Sequence, residues 1–532
     1  VRVILRDRQQ WGHRALASTG SSLATVAALT VLEEGGNAFD AAITASALLT
    51  VCMPMASGPG GDAAAVLHVH GEAEPLALTS LGRAPGAADP AAFRDRGLGT
   101  VPQTGILSTT TPALMDAWYA LHERFGSRPL AELLRPAVRT AADGAPVTSQ
   151  FQRWTRENLQ VLEQPGFREV YAAAARPEAV GTRLRQSGLE RLYTMAGQLD
   201  ASGLRQELAD RVGRLSTELD GLLAPEDLLA SHARLGPATT LELAGHRIAV
   251  PPAPTQGPLM LQNLALYASF APEEGSGSAA GMHVLSEIFN QTFNWRLEHL
   301  RDPEAVDTPM PDPLDPGVLA ELGRGVDVDR RSACRYAGHY SHGDTTHFVV
   351  ADRFGNAVTW VQSLGLGFGA GVGVPELGLL LCNRLGRSST LSPNHANRVR
   401  PGARPVNTIF PWTITDQQGG HRLGGTPGGD GQCQWNTQVT AALLVDGATP
   451  LRALTLPRWT YFPGSDKTEA DRPEQLQVDE TLDQAVFEGL AHRGHELVRK
   501  ASVGGVSRLL ETGSGGLYGL DDGRQEGLTA AC

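Results

Sequence analysis

The chain has 532 residues, 41% hydrophobic and 19% charged, the balance of an ordinary globular protein long enough for a large core or two domains. Its 45 basic against 57 acidic residues give a net charge of −12, which speaks against a nucleic-acid partner, since that would need a basic face. The five cysteines, Cys52, Cys334, Cys382, Cys433 and Cys532, are odd in number and lack CxxC spacing, so reduced thiols are expected rather than a disulfide framework.

Residues 1–10 carry Arg2, Arg6, Asp7 and Arg8 and no long apolar core, unlike a secretory signal. The most apolar stretch, Ala41 to Met55, is too short to span a bilayer and contains Pro54. A soluble, cytoplasmic protein is expected. A helix is predicted over Ser22 to Glu34, stopped by Gly35-Gly36-Asn37, which suits a left-handed cap, and an Ala-rich helix follows from about Ala38 to Val51. Pro54, Gly58, Gly60 and Gly61 then break the chain before a strand over Ala63 to His70. His68 and His70 alternate along it and share one face, but two histidines without a third ligand do not specify a metal site. Amphipathic helices are predicted at Pro112 to Phe125, Leu130 to Ala142 and Met282 to Leu300.

From Leu322 to Asp344 the apolar periodicity disappears, predicting an exposed connecting loop; its His339, His342 and Cys334 are poorly spaced for zinc. Two strands follow at once, His347 to Asp352 and Asn356 to Ser363, joined through Arg353-Phe354-Gly355. Glycine-rich stretches come at 365–373 and 424–431, without the Lys-Ser/Thr of a phosphate loop. No internal repeat is present.

The loop ends abruptly at Asp344-Thr345, and that junction carries chemistry. A threonine hydroxyl needs a base beside it to act as a nucleophile, and an N-terminal threonine has one in its own α-amine. With an unperturbed pKa near ~8, that amine is partly neutral at physiological pH. To expose it, the bond before Thr345 must be cut, and the hydroxyl itself can do so by attacking the preceding carbonyl. On local pattern alone, Asp-Thr before a strand is commonplace.

The run Thr345-Thr346-His347-Phe348-Val349-Val350, then Gly355-Asn356-Ala357-Val358 and Phe368-Gly369, resembles the start of the gamma-glutamyltransferase small subunit. Gly425-Thr426-Pro427-Gly428-Gly429 resembles that family's oxyanion loop. Upstream, Gly35 to Ala42, Ser57 to Gly61 and Pro251 to Gly257 match in family order, so the resemblance spans about residues 16 to 460.

The resemblance implies an α+β fold, the four-layer αββα sandwich of N-terminal-nucleophile hydrolases. It implies a precursor that cuts itself between Asp344 and Thr345, giving a large subunit 1–344 and a small subunit 345–532 that stay paired, with or without further pairing of the heterodimer. Thr345 is then the nucleophile, Ser363 stands where a supporting threonine hydroxyl stands in the family, and the amides of Gly428 and Gly429 bind the oxyanion. No cofactor, metal, nucleic acid or membrane is implied, only a small-molecule substrate.

The departures bear on that substrate. The family's carboxylate-holding arginine stands in Arg-Glu-x-Ala-Pro; here Leu81-Gly82-Arg83-Ala84-Pro85 moves the arginine by two positions and lacks the glutamate. Asn407 and Thr408 stand for the family's paired serines, and Gly365 for an asparagine. The family's ammonium-gripping Gln and Asp correspond to Arg384 and Arg387. Guanidiniums repel an ammonium and bind a carboxylate in bidentate fashion, so glutamyl donors fit badly and an anionic acyl group fits well. Gly60-Gly61-Asp62, Asn383-Arg384 and Gly428 to Gln432, which brings in Asp430 as a substrate contact, resemble the oxamate-amidohydrolase branch. Homologues in lincomycin-type antibiotic pathways use the scaffold for C–C cleavage. The expectation is removal of an oxalyl-like group by amide or C–C hydrolysis. The alternative is a gamma-glutamyl hydrolase or transpeptidase with a rearranged carboxylate clamp, for which Arg83 is the candidate.

Overall fold

Gly35, at φ +95°, ends the helix Ser22–Glu33, and Asn37 starts the next, Ala38–Cys52. The Asn37 side chain accepts from the amides of Phe39 and Asp40 at 2.9 Å each, and the Asp40 carboxylate accepts from the Asn37 amide at 3.1 Å. This reciprocal cap satisfies donors that a helix start leaves open. The other expected helices occur as Leu114–Phe125, Leu130–Asp143 and Ala279–His299. The computed structural model describes residues 8–306, 308–334, 344–464, 474–513 and 515–532.

Two seven-stranded antiparallel sheets form the middle of the molecule. One runs in the order Leu528–Ala531, Ala15–Thr19, Asp344–Asp352, Ala357–Gly365, Asp62–His68, Leu76–Ser80, Arg234–Pro237. The other runs Gln10–Gly12, Gly516–Asp521, Arg508–Gly513, His421–Gly425, Trp412–Thr415, His246–Val250, Thr239–Leu243. Leu16, Val349 and Ala351 of the first sheet pack against Leu423, Leu510 and Leu517 of the second, closing the sheet-to-sheet layer. On the outer face of the first sheet, Phe348, Val350 and Trp360 pack with the helices Ala38–Cys52 and Leu114–Phe125. The helices Gly257–Phe270, Ala279–His299 and Gly431–Leu444 cover the second sheet in the same way. The architecture is the expected four-layer αββα sandwich.

Strand parity decides which residues face the space between the sheets. Val349 and Ala351 do, so Thr345 and His347, at even spacing from them, lie on the same face. His347 agrees with this: its Nε2 is 2.9 Å from Thr359 Oγ1, and a Cβ on Gly425 of the facing sheet would meet its ring.

Several boundaries differ from the sequence reading. The strand begins at Asp344 rather than His347, because Asp344, Thr345 and Thr346 pair with Gly365, Ser363 and Gln362, with a register shift between Asp344 and Thr345. Thr345 therefore sits inside a sheet. Its neighbour ends at Gly365. A helix, Pro316–Arg324, takes up the first residues assigned to the connecting loop, and His339 and His342 lie outside the described residues. His70 lies beyond the strand Asp62–His68 and shares no strand face with His68, which stacks on His421 with ring centroids 3.8 Å apart. None of the five cysteines is in a disulfide. No helix among the described residues is long and apolar enough to cross a membrane.

Candidate active site

The register of the first sheet sets three residues in one row across adjacent strands: Thr345 opposes Ser363, and Ser363 opposes Asp62. Directly opposed residues share a face, and neighbouring strands lie about 4.8 Å apart, so the row spans roughly 10 Å.

At its first end, Thr345 Oγ1 donates to Ser363 Oγ at 3.1 Å, and Ser363 Oγ donates to the Asp344 carbonyl oxygen at 2.9 Å. The Gly365 amide donates to the same Ser363 oxygen at 2.9 Å. Ser363 thus uses its one proton and both lone pairs. It links the threonine hydroxyl to the oxygen of the carbonyl immediately before it. Thr345 is 1% exposed, so bulk water does not reach this hydroxyl in the uncut chain. Asp344 accepts from Asn158 Nδ2 at 3.2 Å. Desolvation, with Glu157 adding to it, pushes the Asp344 carboxyl up to about 6, against the pull of Arg387 and the Asn158 hydrogen bond.

At the other end, Asp62 is fully buried and gathers donors from distant parts of the chain. It accepts from the Gly82 amide at 2.8 Å, Asn407 Nδ2 at 2.7 Å and Arg384 Nε at 3.2 Å. Arg384 is 1% exposed, and its Nη1 and Nη2 have no hydrogen-bond partner. Thr408 Oγ1, also buried, has none either. Buried polar groups are ordinarily satisfied, so the two open guanidinium nitrogens of Arg384 point to a ligand that would complete them. Arg387 donates through Nη1 to the Gly365 carbonyl at 2.7 Å, and Gly365 pairs with Asp344, which puts this guanidinium beside the Asp344–Thr345 junction.

The glycine-rich loop leaves the facing strand His421–Gly425 at the level of His347. Gly428 has φ +126°, and a Cβ there would lie 2.2 Å from Trp435 Cζ3, so only glycine fits. Neither the Gly428 nor the Gly429 amide donates to another described residue, whereas their carbonyls accept from the amides of Gly431 and Gln432. Asp430 is buried at the start of the helix Gly431–Leu444, with the Gln256 amide 3.5 Å from its Oδ1.

The structure brings Thr345, Ser363, Asp344 and Arg387 together at one end of the row, and Arg384 with Asn407 at the other. Arg83 is not joined to either by its side chain: its Nη1 donates to the Gly402 carbonyl at 2.9 Å and its Nη2 lies 3.6 Å from Glu304. Asn407 spends its amide on Asp62, which leaves Thr408 as the open donor of that pair. The place of the family asparagine at Gly365 is filled from elsewhere. A Cβ on Gly365 would meet Asn383 Oδ1 at 2.2 Å, and that oxygen accepts from the Leu366 amide at 3.0 Å. Sequence reasoning passed over Asp62 as a hub and Asn158 altogether. A lone aspartate after Gly60-Gly61 was the only signal for the first, and nothing local marked the second.

The family model for gamma-glutamyltranspeptidase matches residues 24–532. The chain belongs to the gamma-glutamyltranspeptidase family. Within that family it is similar to the oxamate amidohydrolase proenzyme of Klebsiella pneumoniae, 29% identical over 524 residues that cover 96% of each chain. Among solved structures it is similar to cephalosporin acylase from Bacillus halodurans, with a TM-score of 0.87, 27% identity and 99% and 97% of the two chains covered. It is equally similar to the protein LmbA2991HD, with a TM-score of 0.86, 27% identity and coverage of 99% and 100%. The gamma-glutamyltranspeptidase-family fold thus runs through the whole chain, and the protein is a hydrolase of the N-terminal-nucleophile type.

Proposed function

We propose that the chain is a proenzyme that cuts itself between Asp344 and Thr345 and then hydrolyses the amide of a small anionic, oxalyl-like acyl group. The carrying observation is the row Thr345–Ser363–Asp62 with Arg384 anchored at its end and two guanidinium nitrogens left open.

In the first step Thr345 Oγ1 attacks the Asp344 carbonyl carbon. The C–N bond breaks, the hydroxyl proton passes to the leaving nitrogen, and an ester joins Asp344 to the threonine oxygen. Water hydrolyses the ester, leaving a carboxylate on Asp344 and a free amine on Thr345. The hydrogen bond from Ser363 to the Asp344 oxygen supports this reading, since a donor aimed at the attacked carbonyl stabilises the charge that develops there. The halves would remain one body, because Ala15–Thr19 and Asp62–His68 from the first pair with Asp344–Asp352 and Ala357–Gly365 from the second.

In the second step the free amine accepts the hydroxyl proton as Thr345 attacks the substrate amide carbonyl. The Gly428 and Gly429 amides take the oxyanion, ammonia or an amine leaves, and water releases the acyl group. Arg384 and Thr408 hold the acyl carboxylate. Asp62 fixes the arginine through Nε and offsets its buried charge, so that its paired terminal nitrogens face the anion. Arg387 contributes positive charge beside the reacting carbonyl. The similarity to an oxamate amidohydrolase proenzyme supports the acyl class. Steady release of ammonia from oxamate by the processed protein is the expected result. Hydrolysis of gamma-glutamyl-p-nitroanilide at transpeptidase-like rates, with none from oxamate, would overturn the reading.

A further inference from the structure

The helix Arg384–Ser388 has two working sides. Arg384 and Arg387 serve the row described above, whereas Leu385 and Ser389 line a separate cleft together with Arg301, Asn397, Arg398 and Arg400. Arg404 and its partner Asp302 line the same cleft. In a chain of net charge −12, this is a local excess of cations.

Among the described residues, the nearby carboxylates are engaged by Arg404, Arg234 and Arg83. Asp302 is consumed by Arg404, accepting from its amide at 2.8 Å, its Nε at 3.1 Å and its Nη2 at 2.6 Å. Glu304 is shared among Arg234, Arg404 and Arg83. The other three guanidiniums find only carbonyl oxygens among the described residues. Arg301 Nη2 donates to Thr308 at 3.3 Å, Arg398 Nη1 to Pro393 at 3.4 Å, and Arg400 Nη1 to Ala396 at 2.8 Å and to Arg398 at 3.3 Å. Burial, followed by the charges of Arg398 and Arg301, pulls Arg400 below its ordinary value, the mark of like charges held close together.

The unsatisfied buried side-chain atoms of the described residues that line the cleft are donors. Asn397, 6% exposed, has no partner for Nδ2, and Arg301 and Arg398 have none for Nε. A cleft that offers buried side-chain donors and positive charge is complementary to an oxyanion. Its space of about 20 Å³ admits a group about the size of one water molecule, so a head group would enter it in part.

We propose that this cleft is a second anion site, taking the carboxylate or phosphate group of a small molecule outside the reaction centre. It does not depend on the reaction proposed above. Occupancy would neutralise the arginine excess and tie the helix Arg384–Ser388 to the segment 397–404.

The test is calorimetric titration of the full-length protein with inorganic phosphate, and separately with succinate, at fixed ionic strength against a chloride control. Saturable binding of at least one probe is expected, and the tighter of the two identifies the head group. The double variant R398Q/R400Q should weaken binding at least tenfold, and Asn397→Asp, which places an internal carboxylate among the donors, should do the same with little effect on folding. Arg384→Gln, in the other site, should leave the affinity unchanged. Absence of binding by either probe, unaltered binding in folded R398Q/R400Q or Asn397→Asp protein, or loss of binding in Arg384→Gln would overturn the proposal.

Discussion

Replacing Ser363 by alanine tests the chemistry at the Asp344–Thr345 junction through one atom. The Ser363 hydroxyl donates to the Asp344 carbonyl at 2.9 Å and accepts from Thr345 Oγ1 at 3.1 Å and from the Gly365 amide at 2.9 Å. In the ground state its loss leaves three polar groups short of a partner. Each buried group so stranded costs about 1–3 kcal/mol of stability, so the rate comparison is made on protein shown to be folded. In the transition state the loss is larger, because a donor aimed at a carbonyl under attack is typically worth about 2.7–4 kcal/mol, or 10²–10³ in rate. Ser363→Ala should therefore self-process at least about 100-fold more slowly than the parent. Ser363→Thr, which restores a hydroxyl, should recover most of the rate. The assay is a time course of intact-mass spectra on freshly purified precursor held at constant temperature and pH. A folded Ser363→Ala protein that matures at the parent rate would refute the role given to this hydroxyl.

Three further outcomes are expected. The Asp344 carboxyl is pushed up from an ordinary 3.8 to about 6 in the folded chain, so the folded state binds its proton more readily than the unfolded state. Stability of an uncut Thr345→Ala precursor should then fall by up to about 3 kcal/mol as pH rises from about 4 to about 6 and stay lowered above that, whereas adding Asp344→Asn should flatten this step in chemical denaturation. Arg384→Gln should still self-process but lose about 10–100-fold in kcat/KM on oxamate, the effect of charged hydrogen bonds worth about 1.5–3 kcal/mol; an unchanged value would remove the arginine from substrate recognition. Asp62→Asn should destabilise the fold by about 3–5 kcal/mol, since it leaves the Arg384 guanidinium buried and unpaired, and denaturation of an uncut background would measure it.

How much could be read from the sequence followed the range of the interactions. The helix Ser22–Glu33, its glycine stop and the Ala-rich helix after it depend on contacts a few residues apart, and the sequence showed them; Asn37, read as part of the left-handed stop, instead caps the second helix at φ −100°. The helix Gly431–Leu444 did not show: every one of its residues is buried, so it has no polar stripe to set a period, and it begins inside a glycine-rich run. The strand start at Asp344 was placed three residues late because pairing with Ser363 and Gly365 selects it, and such pairing leaves no local mark. The same holds for the site. Thr345 and Ser363 lie 18 positions apart on a hairpin and were legible together with the family's motifs. The partner of Arg384 is Asp62, 322 positions away, and that of Asp344 is Asn158, 186 away, so charge pattern alone could not join them. Arg83 offered itself as a carboxylate clamp by its motif, but Glu304 and the Gly402 carbonyl engage it in the fold.

The central claim, that the chain matures at Asp344–Thr345 and works through the exposed threonine, is tested most directly by intact-protein mass spectrometry on the purified protein beside its Thr345→Ala variant. The account predicts two polypeptides in the parent, divided between Asp344 and Thr345, and a single uncut chain in the variant. A single chain in both, or a break at any other bond, would contradict it.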